Sequence, residues 1–388
     1  GLGRRSLWFD EADVVLDSTG ILGSFHILKL HNPVIFYKIF IFYWRHISPY
    51  MQEWLLRLPS VIFSAGAGIF IYKISTLLFN SRKLGVLSCF LLAVSPLHIY
   101  YSQEATAYSL LVLIASVNTY YFLKMVKNIS WAYLPHFVVL NAVGIYTHPV
   151  MALLFAIENI TLFFRIKDYR QGFIRVVVGD ALVFSAVLPL FWAVFFGSEL
   201  LFRKGNFYFN RIAGWILPIN PQSLLLSFKN LTLGYNAPRP LYFLVVTLFL
   251  PLFILGGVKI IKKETDRHLL LLAFLPAIFL FGIAKTAILP YYVDRYLLPF
   301  LPFFCLIIAY GLCSLKRKYL LSCALLLIAV TSSVSLANYY RDILPGGIAE
   351  HRGVVPRQDI KGAFVYINNS FSEGDGLFHT GRNTALPF

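Results

Sequence analysis

Two adjacent carboxylates, Asp10 and Glu11, stand in the run Arg5-Ser6-Leu7-Trp8-Phe9-Asp10-Glu11-Ala12, at the head of a chain that is otherwise strongly apolar. Ionised groups are costly beside hydrocarbon and tend to mark sites there. Further polar groups fall at the ends of apolar runs: Asp13, His31, Arg57, Gln103, Glu104, His148, Asp294 and Arg295. Carboxylates mixed with cations suit a reaction in which one group gives up a proton to a base and an anionic leaving group is stabilised by positive charge.

The elements that must position these groups are membrane helices. Of 388 residues, 58% are hydrophobic and only 13% charged, against about 25% charged in soluble domains, and the mean hydropathy is +0.69. The fold class expected is an all-α polytopic membrane protein. Runs long enough to cross lie at 58–79, 84–101, 107–123, 131–146, 149–164, 176–196, 241–261, 269–289, 296–315 and 319–337, about ten spans. The net charge of +16 does not point to nucleic acid, because the basic residues punctuate apolar runs as cytoplasmic turns do. They cluster at Lys73, Arg82 and Lys83, at Lys124 and Lys127, at Arg165 to Arg175, at Lys259 to Arg267, and at Lys316-Arg317-Lys318. Two spans separate each cluster from the next, so all five can share the cytoplasmic side. Asp10, Glu104, His148 and Arg295 then face outside, provided that the short apolar piece 33–44, interrupted by Lys38, is interfacial or re-entrant. Three regions follow: a first extracytoplasmic loop over 1–57 with the acid pair, a helix bundle over 58–337 with an extracytoplasmic loop at 198–240, and the start of a soluble extracytoplasmic domain over 338–388, with 359–366 helical and Ser372-Glu373-Gly374-Asp375-Gly376 a turn before a strand. A polar start at Gly1 leads us to expect one more transmembrane helix before it. Cys89, Cys305, Cys313 and Cys323 sit inside apolar runs and read as small core residues.

Transfer of a sugar from a polyprenyl phosphate fits these groups and this setting. The acceptor hydroxyl needs a base, the phosphate departs as an anion, and a single displacement inverts the anomeric centre, by analogy with inverting glycosidases. The ordered series Leu7-Trp8-Phe9-Asp10-Glu11-Ala12, His31-Asn32-Pro33, Arg57-Leu58-Pro59-Ser60, Ser95-Pro96, Tyr100-Tyr101-Ser102-Gln103-Glu104-Ala105, Tyr146-Thr147-His148 and Asp294-Arg295-Tyr296-Leu297-Leu298-Pro299 resembles the GT-C glycosyltransferases. The resemblance is to the protein O-mannosyltransferase (glycosyltransferase family 39), lipid A aminoarabinose transferase and galacturonosyltransferase-like groups, and it covers nearly the whole chain. It implies a GT-C helix bundle with juxtamembrane helices in the first extracytoplasmic loop. It implies multi-pass residence in the plasma (inner) membrane of a cell-envelope glycosylation enzyme, with the active site on the extracytoplasmic face. It also implies hexosyl or pentosyl transfer from a polyprenyl-phosphate-linked sugar to a lipid, glycan or protein hydroxyl. By the match Asp10 is the general base, Glu11 orients the acceptor or the base, and Arg295 meets the lipid phosphate. His31 lies near that phosphate, although Asn32 stands where the family pattern more often has a proline. Glu104 and Arg57 belong to the substrate-binding set, and Lys285, about three helical turns before Arg295, is a second phosphate candidate.

Simpler roles stand beside these. Acids favour the first turn of a helix, and Asp10 and Glu11 begin one. Gln103 and Glu104 follow Ser102 and suit a cap, and His148 suits a turn before Pro149. Arg57 can anchor a helix in the headgroup layer, and Asp294 and Arg295 can pair locally. Asp10 and Asp13 can share a helix face at i,i+3 and take a divalent metal, but two carboxylates make a thin metal site, so no cofactor is required. Glu158 and Asp180 read as interhelical hydrogen-bonding groups. A lipid or glycan transporter (flippase) is the alternative function and a non-catalytic scaffold a third. A continuous polar path through the bundle marks the first, and dispersal of Asp10, Glu104 and Arg295 marks the second.

Overall fold

A computed structural model of the chain describes residues 2–3, 5–19, 35–47, 52–127, 130–164, 170–196, 220–262, 268–285, 292–346, 360–370 and 372. Helices α1 (Phe9–Thr19) and α2 (Ile35–Arg45) precede the bundle. The bundle is built from α3 (Glu53–Phe79), α4 (Arg82–Val94), α5 (Pro96–Ser102), α6 (Tyr108–Lys127), α7 (Leu134–Thr147), α8 (Met151–Phe164) and α9 (Arg170–Phe196), then α10 (Gln222–Leu233), α11 (Leu250–Lys262), α12 (His268–Lys285), α13 (Leu301–Cys313) and α14 (Lys318–Tyr340). A short α15 (Ile360–Ser370) follows, where the sequence predicts a helix. The turn and strand expected after Ser372 lie outside the described residues.

Within the described residues the expected spans fall on helix, but fewer of these helices are long and apolar enough to cross than the ten expected. Among the described residues six are long and apolar enough, or up to seven if a bent pair counts as one span. The bent pair is α4 and α5, which meet at 62°. Pro96 causes the break: it has no N–H to give to α4 and holds Ser95 extended, at φ −64° and ψ 119°. Ser95 then caps α5, its Oγ accepting from His98 N at 3.4 Å. The expected spans 131–146, 149–164 and 269–289 land on the shorter α7, α8 and α12. The piece at 33–44 becomes α2, whose 11 residues reach about 16 Å, too short for a hydrocarbon core of about 30 Å. Its buried stripe of Tyr37, Lys38, Ile41 and Phe42 packs it onto α1, α3 and α7.

α3 and α13 set the two ends of the molecule. α3 carries Arg57 in its first turns and ends beside Arg82 and Lys83; the 3₁₀ helix Asp294–Phe300 feeds α13, which ends before Lys316-Arg317-Lys318. Phe79 and Tyr310, near the far ends, stack at 4.8 Å between ring centres. The basic turns and the acid pair therefore lie at opposite ends of the bundle.

α11 and α13 touch backbone to backbone. A methyl group added at Gly256 would strike the Ile307 carbonyl, and one added at Gly311 would strike the Leu252 carbonyl. Small residues at such crossings let membrane helices approach closely. Gly256→Ala is therefore expected to force the pair apart at a cost of about 1–3 kcal/mol, read as a lower melting temperature in detergent.

The expected loop at 198–240 contains α10 within its described part. Its polar residues Ser223, Ser227 and Asn230 recur at i, i+4 and i+7, which puts them on one helical face.

Candidate active site

Asp10 and Glu11 occupy the second and third positions of α1 and point to different partners. Glu11 is fully buried and paired with Arg57, itself 1% exposed. Arg57 Nε donates to Glu11 Oε1 at 2.8 Å and Nη2 to Oε2 at 2.7 Å. Its remaining N–H groups reach the carbonyls of Leu2 at 2.6 Å, Arg5 at 2.8 Å and Ser6 at 2.9 Å. A guanidinium has five N–H donors, and these five bonds use them all. Glu11 is equally occupied: besides the guanidinium it accepts from Ala105 N at 2.7 Å and from Trp8 N at 3.2 Å. The Trp8 bond is one half of a capping box, the third helical residue reaching back to the cap. The structure thus engages Glu11 and Arg57 with each other and with the backbone, so that all five N–H groups of Arg57 and both oxygens of Glu11 have partners within the chain.

Asp10 is placed otherwise. Its side chain is 33% exposed, and Oδ2 accepts from Arg295 Nη1 at 2.7 Å. Arg295 arrives from the 3₁₀ helix Asp294–Phe300, which α10 anchors: buried Asp294 accepts from Ser227 Oγ and from Asn230 Nδ2, the latter at 2.5 Å. Asp294 and Arg295, adjacent in sequence, so serve different neighbours.

Around Arg295 is an aromatic wall drawn from distant segments. Its guanidinium carbon lies 5.7 Å from the centre of the Tyr108 ring. The His148 ring lies 6.0 Å from Tyr108 and 5.1 Å from Tyr296. Burial, helped by the charge of Arg295, pushes His148 down to about 3, so it is neutral near pH 7. Glu104 is buried in the turn after α5, where its carbonyl accepts from Ser60 Oγ at 2.6 Å. His31 and the side chain of Lys285 lie outside the described residues. Among the described residues no group of three or more His, Cys, Asp or Glu could hold a metal ion.

A second strap reaches the site from the end of α14. Arg5 donates to the Tyr339 carbonyl, lies 4.2 Å from the centre of the Tyr339 ring and pairs with Asp342 at 2.9 Å. Sequence spacing carries no sign of this contact, nor of Ser227, Asn230 and Tyr108, while Tyr296 stands in the quoted motif without an assigned role. Deep in the bundle, Glu158 is 2% exposed and accepts from Asn118 Nδ2 at 3.0 and 3.1 Å, while Asn159 donates to Asp180 at 3.4 Å. These are the interhelical hydrogen bonds expected of both acids.

Residues 31–194 match the family described as dolichyl-phosphate-mannose-protein mannosyltransferase. No curated protein sequence matches the chain. Among solved structures, ArnT from Cupriavidus metallidurans in the apo state superposes with a TM-score of 0.60 at 14% identity, over 89% of this chain and 63% of that one. ArnT bound to undecaprenyl phosphate gives 0.52 at 16%, over 88% and 62%. The oligosaccharyltransferase AglB from Archaeoglobus fulgidus, in complex with an inhibitory peptide and a dolichol-phosphate, gives 0.52 at 14%, over 87% and 50%. The chain thus spans between half and somewhat under two thirds of the length of these proteins. The fold they share with it is the GT-C membrane fold.

Proposed function

We propose that this chain, a multi-pass membrane protein with the GT-C fold, transfers a sugar with inversion from a polyprenyl-phosphate donor to a hydroxyl of a lipid, glycan or protein acceptor. The setting we propose is cell-envelope glycosylation at the extracytoplasmic face of the plasma membrane. The observation that carries the reading is the Asp10–Arg295 contact: a part-exposed carboxylate and a cation, held together at one end of a membrane bundle. The neighbouring carboxylate–arginine pair is locked away. The named ligands of the solved neighbours support the donor class, since one is bound to undecaprenyl phosphate and another to a dolichol-phosphate.

The chemistry assigns the parts. The acceptor O–H gives its proton to the Asp10 carboxylate as its oxygen attacks the anomeric carbon. The bond from that carbon to the phosphate oxygen breaks, and its electron pair leaves with the phosphate. The phosphate's negative charge grows by one as the diester becomes a polyprenyl phosphate monoester. Positive charge fixed beside it is favoured most in that transition state. Arg295 supplies the charge from its place beside Asp10. Glu11 and Arg57 hold α1 in register. The reaction as written needs no metal. A transporter has less support, because the buried Glu158 and the part-buried Asp180 are engaged with neighbouring amides.

The test is transfer by the purified protein in liposomes from a panel of polyprenyl-phosphate sugars to a mixed-acceptor extract. At least one donor is expected to be consumed with release of polyprenyl phosphate. Arg295→Ala is expected to lower kcat/KM by about 10²-fold or more, with Arg295→Lys recovering part. An inert panel, or equal activity of the alanine variant, would refute the assignment.

A further inference from the structure

His148 is placed to do more than end α7. Its carbonyl accepts from Met151 N at 3.0 Å, and its ring Nδ1 accepts from Val150 N at 3.1 Å. A nitrogen that accepts a backbone N–H carries no proton, and a neutral imidazole carries only one. The turn therefore fixes the tautomer: the proton sits on Nε2, and Nε2 is a donor. The ring is wedged between Tyr108, whose face carries the Arg295 guanidinium, and Tyr296, the residue after Arg295. The groups facing it are Arg295, Tyr108 and Tyr296, with Asp10 one bond beyond. The proximity of Arg295 and burial both keep the ring neutral, so it meets an anion as a hydrogen-bond donor and not as a second cation.

We infer that His148 is a phosphate-binding residue, its Nε2–H donating to an oxygen of the polyprenyl phosphate beside the Arg295 guanidinium. The inference rests on the transfer reading above and adds a residue to it. A plain capping role explains the Nδ1 contact, but it assigns no use to Nε2.

Two substitutions separate the roles. In His148→Asn the side-chain oxygen replaces Nδ1 and nothing replaces Nε2; in His148→Gln the amide reaches the Nε2 position and the cap is lost. Binding of undecaprenyl phosphate to the purified full chain in detergent is measured beside the melting temperature. His148→Asn is expected to keep its melting temperature and lose about tenfold or more in affinity, the loss typical of a hydrogen bond to a charged group. His148→Gln is expected to melt lower and bind within about threefold of the original protein, because its amide restores most of that hydrogen bond. Wild-type affinity in His148→Asn, or affinity that tracks melting temperature in both variants, would overturn the assignment while leaving the transfer reading intact. Absence of saturable undecaprenyl phosphate binding by the original protein would overturn both. Saturable binding that falls in His148→Asn, from a protein that transfers no sugar, would uphold the His148 contact and refute transfer alone.

Discussion

Asp10→Asn is expected to lower sugar transfer by about 10²–10⁴-fold, the range attributed to a positioned general base, while the protein folds and binds its donor. The substitution keeps the size and leaves a carbonyl oxygen to accept from Arg295 Nη1. It removes the ability to take a proton. Asp10 is only a third exposed and pairs with Arg295, but Asn keeps an acceptor for Nη1, so the loss of stability is expected to be about 1 kcal/mol. Donor affinity is expected to stay level or rise, since Arg295 no longer has its charge offset by a carboxylate. The signature is thus a collapse of kcat with an unchanged or lower donor KM. It separates loss of a base from loss of a phosphate contact, for which Arg295→Ala raises KM as well. Turnover close to that of the original protein at matched expression would remove Asp10 from the mechanism.

How far the sequence alone reaches is clearest at this pair. An acid pair beside a hydrophobic chain and an arginine opening an apolar run marked the Asp10–Arg295 site, because ionised residues at membrane depth are few and conspicuous. The resemblance divides the labour between Asp10 and Glu11, but the partners that set the two apart are not legible in local spacing. Successive residues on a helix point about 100° apart, so one partner claims each, and the claimants lie 46 and 285 positions away. Local spacing holds no information on that choice. The aromatic wall is hidden for the same reason: Tyr108, His148 and Tyr296 come from three segments that only the bundle brings together.

The helices were mostly readable, with two instructive exceptions. The run over 84–101 is apolar throughout and reads as one span, yet Pro96 splits it into α4 and α5 and tilts the second toward the turn that holds Glu104. Together the two pieces are still long and apolar enough to count as one span, bent by 62° at the proline. α10 falls within a stretch that the sequence predicts to be loop, and its periodic stripe is polar, with Ser223, Ser227 and Asn230 in the positions where an amphipathic helix usually shows apolar residues. Its burial is explained by Asp294, a buried carboxylate that needs donors. A polar stripe on a helix near a membrane surface is thus as good a packing signal as an apolar one when a charge must be satisfied.

The second large effect is expected at Arg57, and it is a folding effect. Arg57→Ala leaves Glu11 as an ionised group with no exposure and no counter-ion, a change that costs about 3–5 kcal/mol in buried pairs. It also strips the carbonyls of Leu2, Arg5 and Ser6 of their donor. A bare buried ion pair can often be exchanged for apolar residues with little loss, so the double variant Glu11→Leu/Arg57→Leu distinguishes two designs. If the pair mattered only as opposite charges, the double variant would recover most of the stability. Here it is expected not to recover, because three carbonyls and the N–H groups of Trp8 and Ala105 would be left without their partners, each buried one costing about 1–3 kcal/mol. Arg57→Lys should fall between, keeping the charge with three donors in place of five. Thermal melting in detergent, together with protease sensitivity of the segment before α1, reads the order: Arg57→Lys mildest, Arg57→Ala and the double variant both severe. A double variant as stable as the original protein would show that the strap is held by other contacts, and that Asp10 is set in place by α1 packing on α2 alone.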